Sequence, residues 1–381
     1  MGGDLPFRPS AARLGGMESL HRLAADLIAI DSRSAVSNHA IAERIEAELG
    51  GFEVERLDYA DAAGVAKRAL VAHRGPPGGL ALSGHMDTVP ETGWTEDPWA
   101  PRIEDGVLHG LGSVDMKGAV AACILTARAV PEGVPATLLI TTDEETTKAG
   151  ARAVAGSALA RSLGLRGIVV AEPTGLVPVR GHRSSVNITA RALGVQAHSS
   201  GAAGRNANWA LIPFLAEMRT IHLRLREDPA LRDAAYDPPF TDFNLVIDNH
   251  GTAVNVTVPL ATCRIKFRAS RSLDREPILA EIRAAAERSG VELAMAAEGP
   301  PPELAEDHPL VRQAVRLAGQ PARTAAFGTD ASELQALAPC VVLGPGAIGS
   351  AHTPRECVEL AALEAAVPLF ARLLTEGSQG S

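Results

Sequence analysis

The sequence predicts an α/β fold: a mostly parallel sheet covered by helices on both faces, with a ferredoxin-like α+β domain inserted into it. Two observations predict this. Up to about residue 181, apolar runs of strand length alternate with segments of helical spacing, the signature of βα units. Beyond Gly181 the texture changes to half-buried alternation, and the order becomes strand, helix, strand, strand, helix, strand, a split βαβ arrangement. A third observation says where function lies. Four apolar runs empty into acids or histidines at their carboxyl ends, where open α/β sheets place ligand sites. The expected division is a metal-binding domain over residues 17–181 and 294–381, a lid or dimerisation domain over residues 182–293, and a disordered leader over residues 1–16.

Taken in order, Leu20, Leu23 and Leu27 and then Ile41, Ile45 and Leu49 recur at helical spacing, separated by an Asp-Ser-Arg-Ser-Ala break. Phe52–Leu57 and Ala69–His73 read as strands, and Pro76-Pro77-Gly78-Gly79 is a turn before the strand that ends in His85. Trp94 and Trp99 are expected to pack down the loop from Pro90 to Pro101. The run from Val107 leads into Asp115, and a helix extends from Lys117 to about Ala129. Ala136–Thr142 is a strand, residues 149–160 are helical, and a strand follows to Glu172. In the insert, Ser184–Leu193, Asp242–Ile247, Leu260–Ala269 and Val291–Ala297 are strands; Asn206–Leu225 and Glu276–Arg288 are helices. The main fold resumes with a helix over His308–Leu317, a loop around Phe327–Ser332, a strand to Leu343 and a helix over Leu360–Leu373.

Bulk properties narrow the function. A chain of 381 residues with 46% hydrophobic and 21% charged residues is an ordinary globular protein with room for two domains. A formal charge of -9 without basic clusters argues against nucleic acid as partner. No apolar run approaches the roughly eighteen residues of a membrane span, and no secretory leader is evident. Cys123, Cys263, Cys340 and Cys357 are far apart, without a CxxC pair, and read as reduced thiols. These features predict a cytoplasmic protein.

The acid-rich strand ends carry the chemistry. Ala136–Thr142 runs into Asp143-Glu144-Glu145, and three desolvated carboxylates need a cation. Leu80–Gly84 runs into His85 and Asp87, Gly167–Ala171 into Glu172, and Cys340–Leu343 toward His352. His85, Asp115, Glu145, Glu172 and His352 together form a ligand set suited to Zn²⁺, Co²⁺ or Mn²⁺. Three carboxylates and a hydroxide balance two divalent ions, with Asp115 the natural bridge, although Asp115 by itself also reads as a helix N-cap. Glu144, left over, is placed to be the general base, and Asp87 to hydrogen-bond the second nitrogen of His85.

The segments Ser83–Pro90, Gly110–Gly118, Thr142–Thr146 and Ala171–Thr174, in this order, resemble the signatures of the M20 metallopeptidase and amidohydrolase family. The resemblance runs from Met17 to the end. It implies a zinc-hydrolase catalytic domain with two Zn²⁺ bound by the five ligands above, Co²⁺ or Mn²⁺ being possible substitutes. It also implies Glu144 as acid and base, and a homodimer formed through the lid. His198 resembles the histidine that polarises the scissile carbonyl, Arg268 the arginine that clamps the substrate carboxylate, with Arg271 its rival, and Gly344 lies in a substrate-binding stretch. Asn255 reads either as a further carboxylate contact or as a turn residue, and Asp330 either as an ammonium contact or as a supporting group. The implied substrate is a small N-acyl amino acid, first N-acetyl-L-ornithine. Succinyl-diaminopimelate, acetyl-lysine, acetyl-citrulline and dipeptides or other peptidase substrates are the alternatives. Ala197, Asp330 and Asn249-His250-Gly251 depart from the family pattern.

Overall fold

The computed structural model describes residues 11–378. They divide into two compact units. One runs to Arg180 and resumes over Leu304–Arg323 and from Thr329; the other comprises Gly181–Glu303 and Thr324–Gly328.

The larger unit is built on an eight-stranded sheet with the order Glu53–Ala60, Ala66–Arg74, Ala136–Thr141, Leu80–His85, Gly167–Pro173, Cys340–Gly344, Val179–His182, Arg323–Ala325. Its middle is parallel: Leu80–His85 pairs with Ala136–Thr141 on one side and with Gly167–Pro173 on the other, and Cys340–Gly344 pairs with Gly167–Pro173. These four strands are buried along their whole length. Their near-continuous apolar sequences are therefore those of strands covered on both faces. Helix Gly118–Ala129 supplies Val120 and Ile124 to the main core, where they join Leu23 and Leu27 of helix Ala11–Ile28 and Leu363 and Phe370 of helix Leu360–Ser378. The outer strands Glu53–Ala60 and Ala66–Arg74 are antiparallel, and the latter joins the parallel centre through Ala136–Thr141.

The smaller unit has a four-stranded antiparallel sheet in the order Asp242–Asp248, Leu260–Ala269, Ser184–Leu193, Glu292–Ala297. Helices Asn208–Glu227 and Glu276–Ser289 fall between these strands in sequence, and their Phe214, Met218, Ile278 and Ile282 share a core with Ile188, Ile265 and Phe267. Because strand Glu292–Ala297 belongs to this sheet, the unit extends to Glu303 and not to the expected 293.

Several local expectations change. The helical stretch after the acidic turn breaks at Ser157, whose Oγ accepts the Ala160 N–H at 3.0 Å and starts a second short helix. Strand Arg102–Glu104 was not anticipated; with Val107–His109 and Cys357–Glu359 it makes a small sheet that carries Glu356 to the segment before Asp115. A short helix, Ala331–Leu334, begins within the expected loop after Phe327. Of the expected leader, residues 1–10 lie outside the described residues, while helix Ala11–Ile28 already begins within it.

Candidate metal centre

The four parallel strands end side by side, so topology alone gathers the residues that follow them. Beyond Ala136–Thr141 the chain turns at Asp143, which holds a left-handed backbone with φ of 59°. The Asp143 carbonyl accepts the N–H groups of Thr147 at 3.0 Å and Lys148 at 2.6 Å, closing the turn that presents Glu144 and Glu145. Next to it, Asp87 accepts the amides of Glu144 at 3.2 Å and Glu145 at 3.3 Å, and the Ser34 hydroxyl at 2.7 Å. Asp87 therefore fixes the acidic turn as well as the imidazole. His85 Nδ1 lies 3.0 Å from the Asp87 carbonyl and 3.5 Å from its carboxylate, so the main chain is the nearer partner.

Asp115 lies between the two histidines. Its Oδ1 is 3.0 Å from His85 Nε2, and its Oδ2 is 3.2 Å from His352 Nε2. His85 Nε2 is also 3.8 Å from Glu172, and His352 Nε2 is 3.0 Å from Glu145. Two donor triads result, His85–Asp115–Glu172 and Asp115–Glu145–His352, each with its ligand atoms within 4.8 Å of one another and with Asp115 common to both. His85, Asp115 and Glu172 are buried, whereas the His352 side chain is 51% exposed, which leaves one flank open. Asp115 is not the cap of the helix that follows: the cap position of Gly118–Ala129 is Lys117, and both Asp115 carboxylate oxygens face the histidines while its N–H donates to Glu356.

Electrostatics favour a cation among these donors. Burial pushes the Glu145 carboxyl up to about 7 despite its hydrogen bond with His352, and burial plus the Asp115 charge pushes Glu172 well above the ordinary range. Burial raises Glu144 too, partly offset by Lys148, whose Nζ is 3.5 Å away. Burial opposes ionisation of Asp115, but hydrogen bonds from His352 and His85 outweigh it and hold Asp115 below the usual carboxylate range. Hydrogen bonds to Asp115 and Glu145 lift His352 to about 10. Without metal, these imidazoles keep protons that serve as the cations of the cluster. Replacing them with divalent ions fits the donor chemistry, because imidazole and carboxylate are the ligands of Zn²⁺ and its neighbours.

Not every acid here needs a metal. The three-acid turn was expected to need a cation, and for Asp143 that cation is Lys67, whose Nζ is 3.1 Å from Oδ1, while the Tyr59 hydroxyl donates to Oδ2 at 2.8 Å. Sequence reasoning missed this pair, and it missed Glu356, whose Oε1 accepts the Val114 and Asp115 amides, each at 3.0 Å. The only signal for Glu356 was an acid four residues after His352. Asp330 is buried, with Oδ2 accepting the Thr141 hydroxyl at 2.5 Å, an arrangement that supports the end of the central strand. Gly344 is a close-packing position: a Cβ there would lie 2.1 Å from the Ala171 carbonyl oxygen.

The remaining candidates belong to the smaller unit. His198 is exposed, with Nδ1 2.7 Å from Ser200 Oγ, and its loop is joined to that of Asn255 by the Ser199 N–H to Asn255 carbonyl bond of 2.9 Å. Arg268 is half-buried on Leu260–Ala269, opposite Ser185 and Asp242; Arg271 is exposed just beyond that strand.

Hydrolysis is the chemistry such a donor set with a spare carboxylate supports, and the class defined by fold and site is that of metal-dependent amidohydrolases. The chain belongs to peptidase family M20/M25/M40, whose model matches residues 81–376. It is 32% identical over 363 residues to an acetylornithine deacetylase of Proteus mirabilis (strain HI4320), covering 91% of this chain and 92% of that one. Among solved structures it resembles human carnosine dipeptidase 1, with TM-score 0.76 and 15% identity over 97% of this chain and 98% of that one. It also resembles the Bacillus subtilis YXEP protein, a dinuclear metal binding peptidase from the M20 family. That match has TM-score 0.64 and 17% identity, covering 95% of this chain and 98% of that one.

Proposed function

We propose that this chain hydrolyses the amide bond of an N-acyl-L-amino acid, with N-acetyl-L-ornithine as its preferred substrate. The observation that carries the reading is the sharing of Asp115 between two histidine-containing triads while Glu144, on the same turn as Glu145, belongs to neither. When bound, a pair of divalent cations, held by His85, Asp115 and Glu172 and by Asp115, Glu145 and His352, supplies Lewis acidity and makes water a nucleophile near neutral pH. Zn²⁺ is the first choice, with Co²⁺ or Mn²⁺ acceptable to the same donors.

Glu144 takes the proton of the attacking water and returns it to the departing amine, a role suited to a carboxyl whose affinity for protons burial has raised. Asp87 keeps the His85 ring and the Glu144 amide in place. From the smaller unit, His198 donates to the developing oxyanion and Arg268 holds the substrate carboxylate through its planar fork, with Asn255 as an added donor. Asp330 acts from behind the site, consistent with its burial, and Gly344 lets the strands carrying Glu172 and the His352 loop approach closely.

The smaller unit is a ferredoxin-like lid in this reading. Support comes from its strand and helix order and its sheet order. It is also the surface through which we expect a homodimer, supported by the exposed Leu193, Trp209 and Ile212, Trp209 being 73% exposed. Four free cysteines accord with a reducing, cytoplasmic setting. Assay of one metal-loaded preparation against N-acetyl-L-ornithine, acetyl-citrulline, acetyl-lysine, succinyl-diaminopimelate and dipeptides tests the assignment. The acetylornithine rate should lead; equal rates across the panel, or dipeptides in the lead, would overturn it.

A further inference from the structure

Lys67 is among the largest fully buried side chains of the molecule, and the chemistry above gives it no part. We propose that Lys67 is a positioning residue for Glu144, acting through Asp143; the inference rests on the hydrolase reading above. Lys67 on strand Ala66–Arg74 stands directly opposite Tyr59 on strand Glu53–Ala60, so both side chains leave the same face of the antiparallel pair. Both reach Asp143. Lys67 Nζ is 3.1 Å from Oδ1, and the Tyr59 hydroxyl donates to Oδ2 at 2.8 Å, so each carboxylate oxygen is held by a different strand.

The remaining donors of the ammonium are also used. Lys67 donates to the Ser34 carbonyl at 2.6 Å and to the Val36 carbonyl at 2.8 Å, beside its ion pair with Asp143. Ser34 in turn gives its hydroxyl to Asp87, and Asp87 accepts the Glu144 and Glu145 amides. One buried cation thus grips both supports of the acidic turn: Asp143, its left-handed pivot, and, through Ser34, the carboxylate that caps the next two amides. A buried ion pair is a weak source of stability compared with apolar packing, so its use here is better explained by the fixed geometry it imposes. Charge fits this use as well. Lys67 neutralises Asp143, so this acid adds no net charge to the five donors of the centre.

The test compares Lys67→Met and Tyr59→Phe with the unaltered full chain, loaded with Zn²⁺. Steady-state kinetics on N-acetyl-L-ornithine, metal content and hydrogen exchange of the peptide spanning residues 142–148 are read for each. In Lys67→Met, kcat falls about 10²-fold, the cost of a reacting group displaced by about 1 Å, while KM and metal content stay near those of the unaltered chain. Exchange quickens in residues 142–148 and not elsewhere. Tyr59→Phe, which removes one hydroxyl, moves both readouts in the same direction by less. Unaltered kcat and exchange in Lys67→Met would overturn the inference. So would loss of activity in Lys67→Met accompanied by faster exchange throughout the chain, with Tyr59→Phe unaffected, because that pattern belongs to general destabilisation. Exchange is independent of substrate, so it still decides whether Lys67 holds the turn if the chain fails to cleave acyl amino acids.

Discussion

A carboxyl buried among other acids binds its proton more tightly than one in water, and Glu144 is in that position, with Lys148 as the moderating charge. Such a group takes up a proton more readily than an exposed glutamate, as a general base must. Glu144→Gln keeps the shape and removes the basicity. Its expected kcat is lower by about 10²–10⁴-fold at unchanged metal content, and turnover in the range of the unaltered chain would sink the role. At this scale the sequence was informative where one residue type has few uses, as with the histidines and acids closing apolar runs. It was silent where partnership depends on register. Nothing in the neighbourhood of Asp143 foretells Lys67, which meets it because an antiparallel pair places Lys67 opposite Tyr59. Glu356, too, comes to the Asp115 segment only because Cys357–Glu359 pairs with Val107–His109.

Among elements, the central strands were legible because burial on both faces demands unbroken apolar sequence, and their carboxyl ends followed from parallel pairing. Strand Arg102–Glu104 was not, since all three of its residues are exposed and leave no hydrophobic pattern. The close packing of strand Cys340–Gly344 against Gly167–Pro173 gives a sharp expectation. A Cβ at Gly344 would meet the Ala171 carbonyl oxygen at 2.1 Å and the Glu172 carbonyl oxygen at 2.5 Å, both main-chain atoms that cannot swing aside. Gly344→Ala should destabilise by about 3 kcal/mol or more, at the upper end of overpacking costs. Gly156, at the end of its helix with nothing within 4 Å of a Cβ, is the control; Gly156→Ala should be neutral or stabilising by about 0.4–1 kcal/mol. Urea denaturation of the two variants checks this, and equal effects would contradict the packing argument.

For the whole molecule, the two-unit division was readable from the change in texture near Gly181, while the far boundary was not. The strand over residues 291–297 was expected to close the inserted unit, yet the boundary at 293 fell inside it, and Thr324–Gly328 joins the smaller unit from a distant part of the chain. Metal uptake couples the site to pH. In the metal-free chain, burial leaves Glu145 titrating at about 7, and hydrogen bonds to Asp115 and Glu145 leave His352 titrating at about 10. Below about 7 a cation displaces protons from both groups and between about 7 and 10 from His352 but no longer from Glu145, in addition to the proton that the surrounding acids hold on His85. Apparent affinity should therefore rise with pH throughout, more steeply below 7, as calorimetry in buffers of different ionisation enthalpy would register. Affinity independent of pH would contradict the donor assignment.

The most direct test is to strip the chain with a chelator and return Zn²⁺ stepwise, following bound metal by elemental analysis and hydrolysis of N-acetyl-L-ornithine in the same samples. Activity should disappear with the metal and return as occupancy climbs to two ions per chain. Full activity in protein that retains no divalent cation would contradict the two-metal reading.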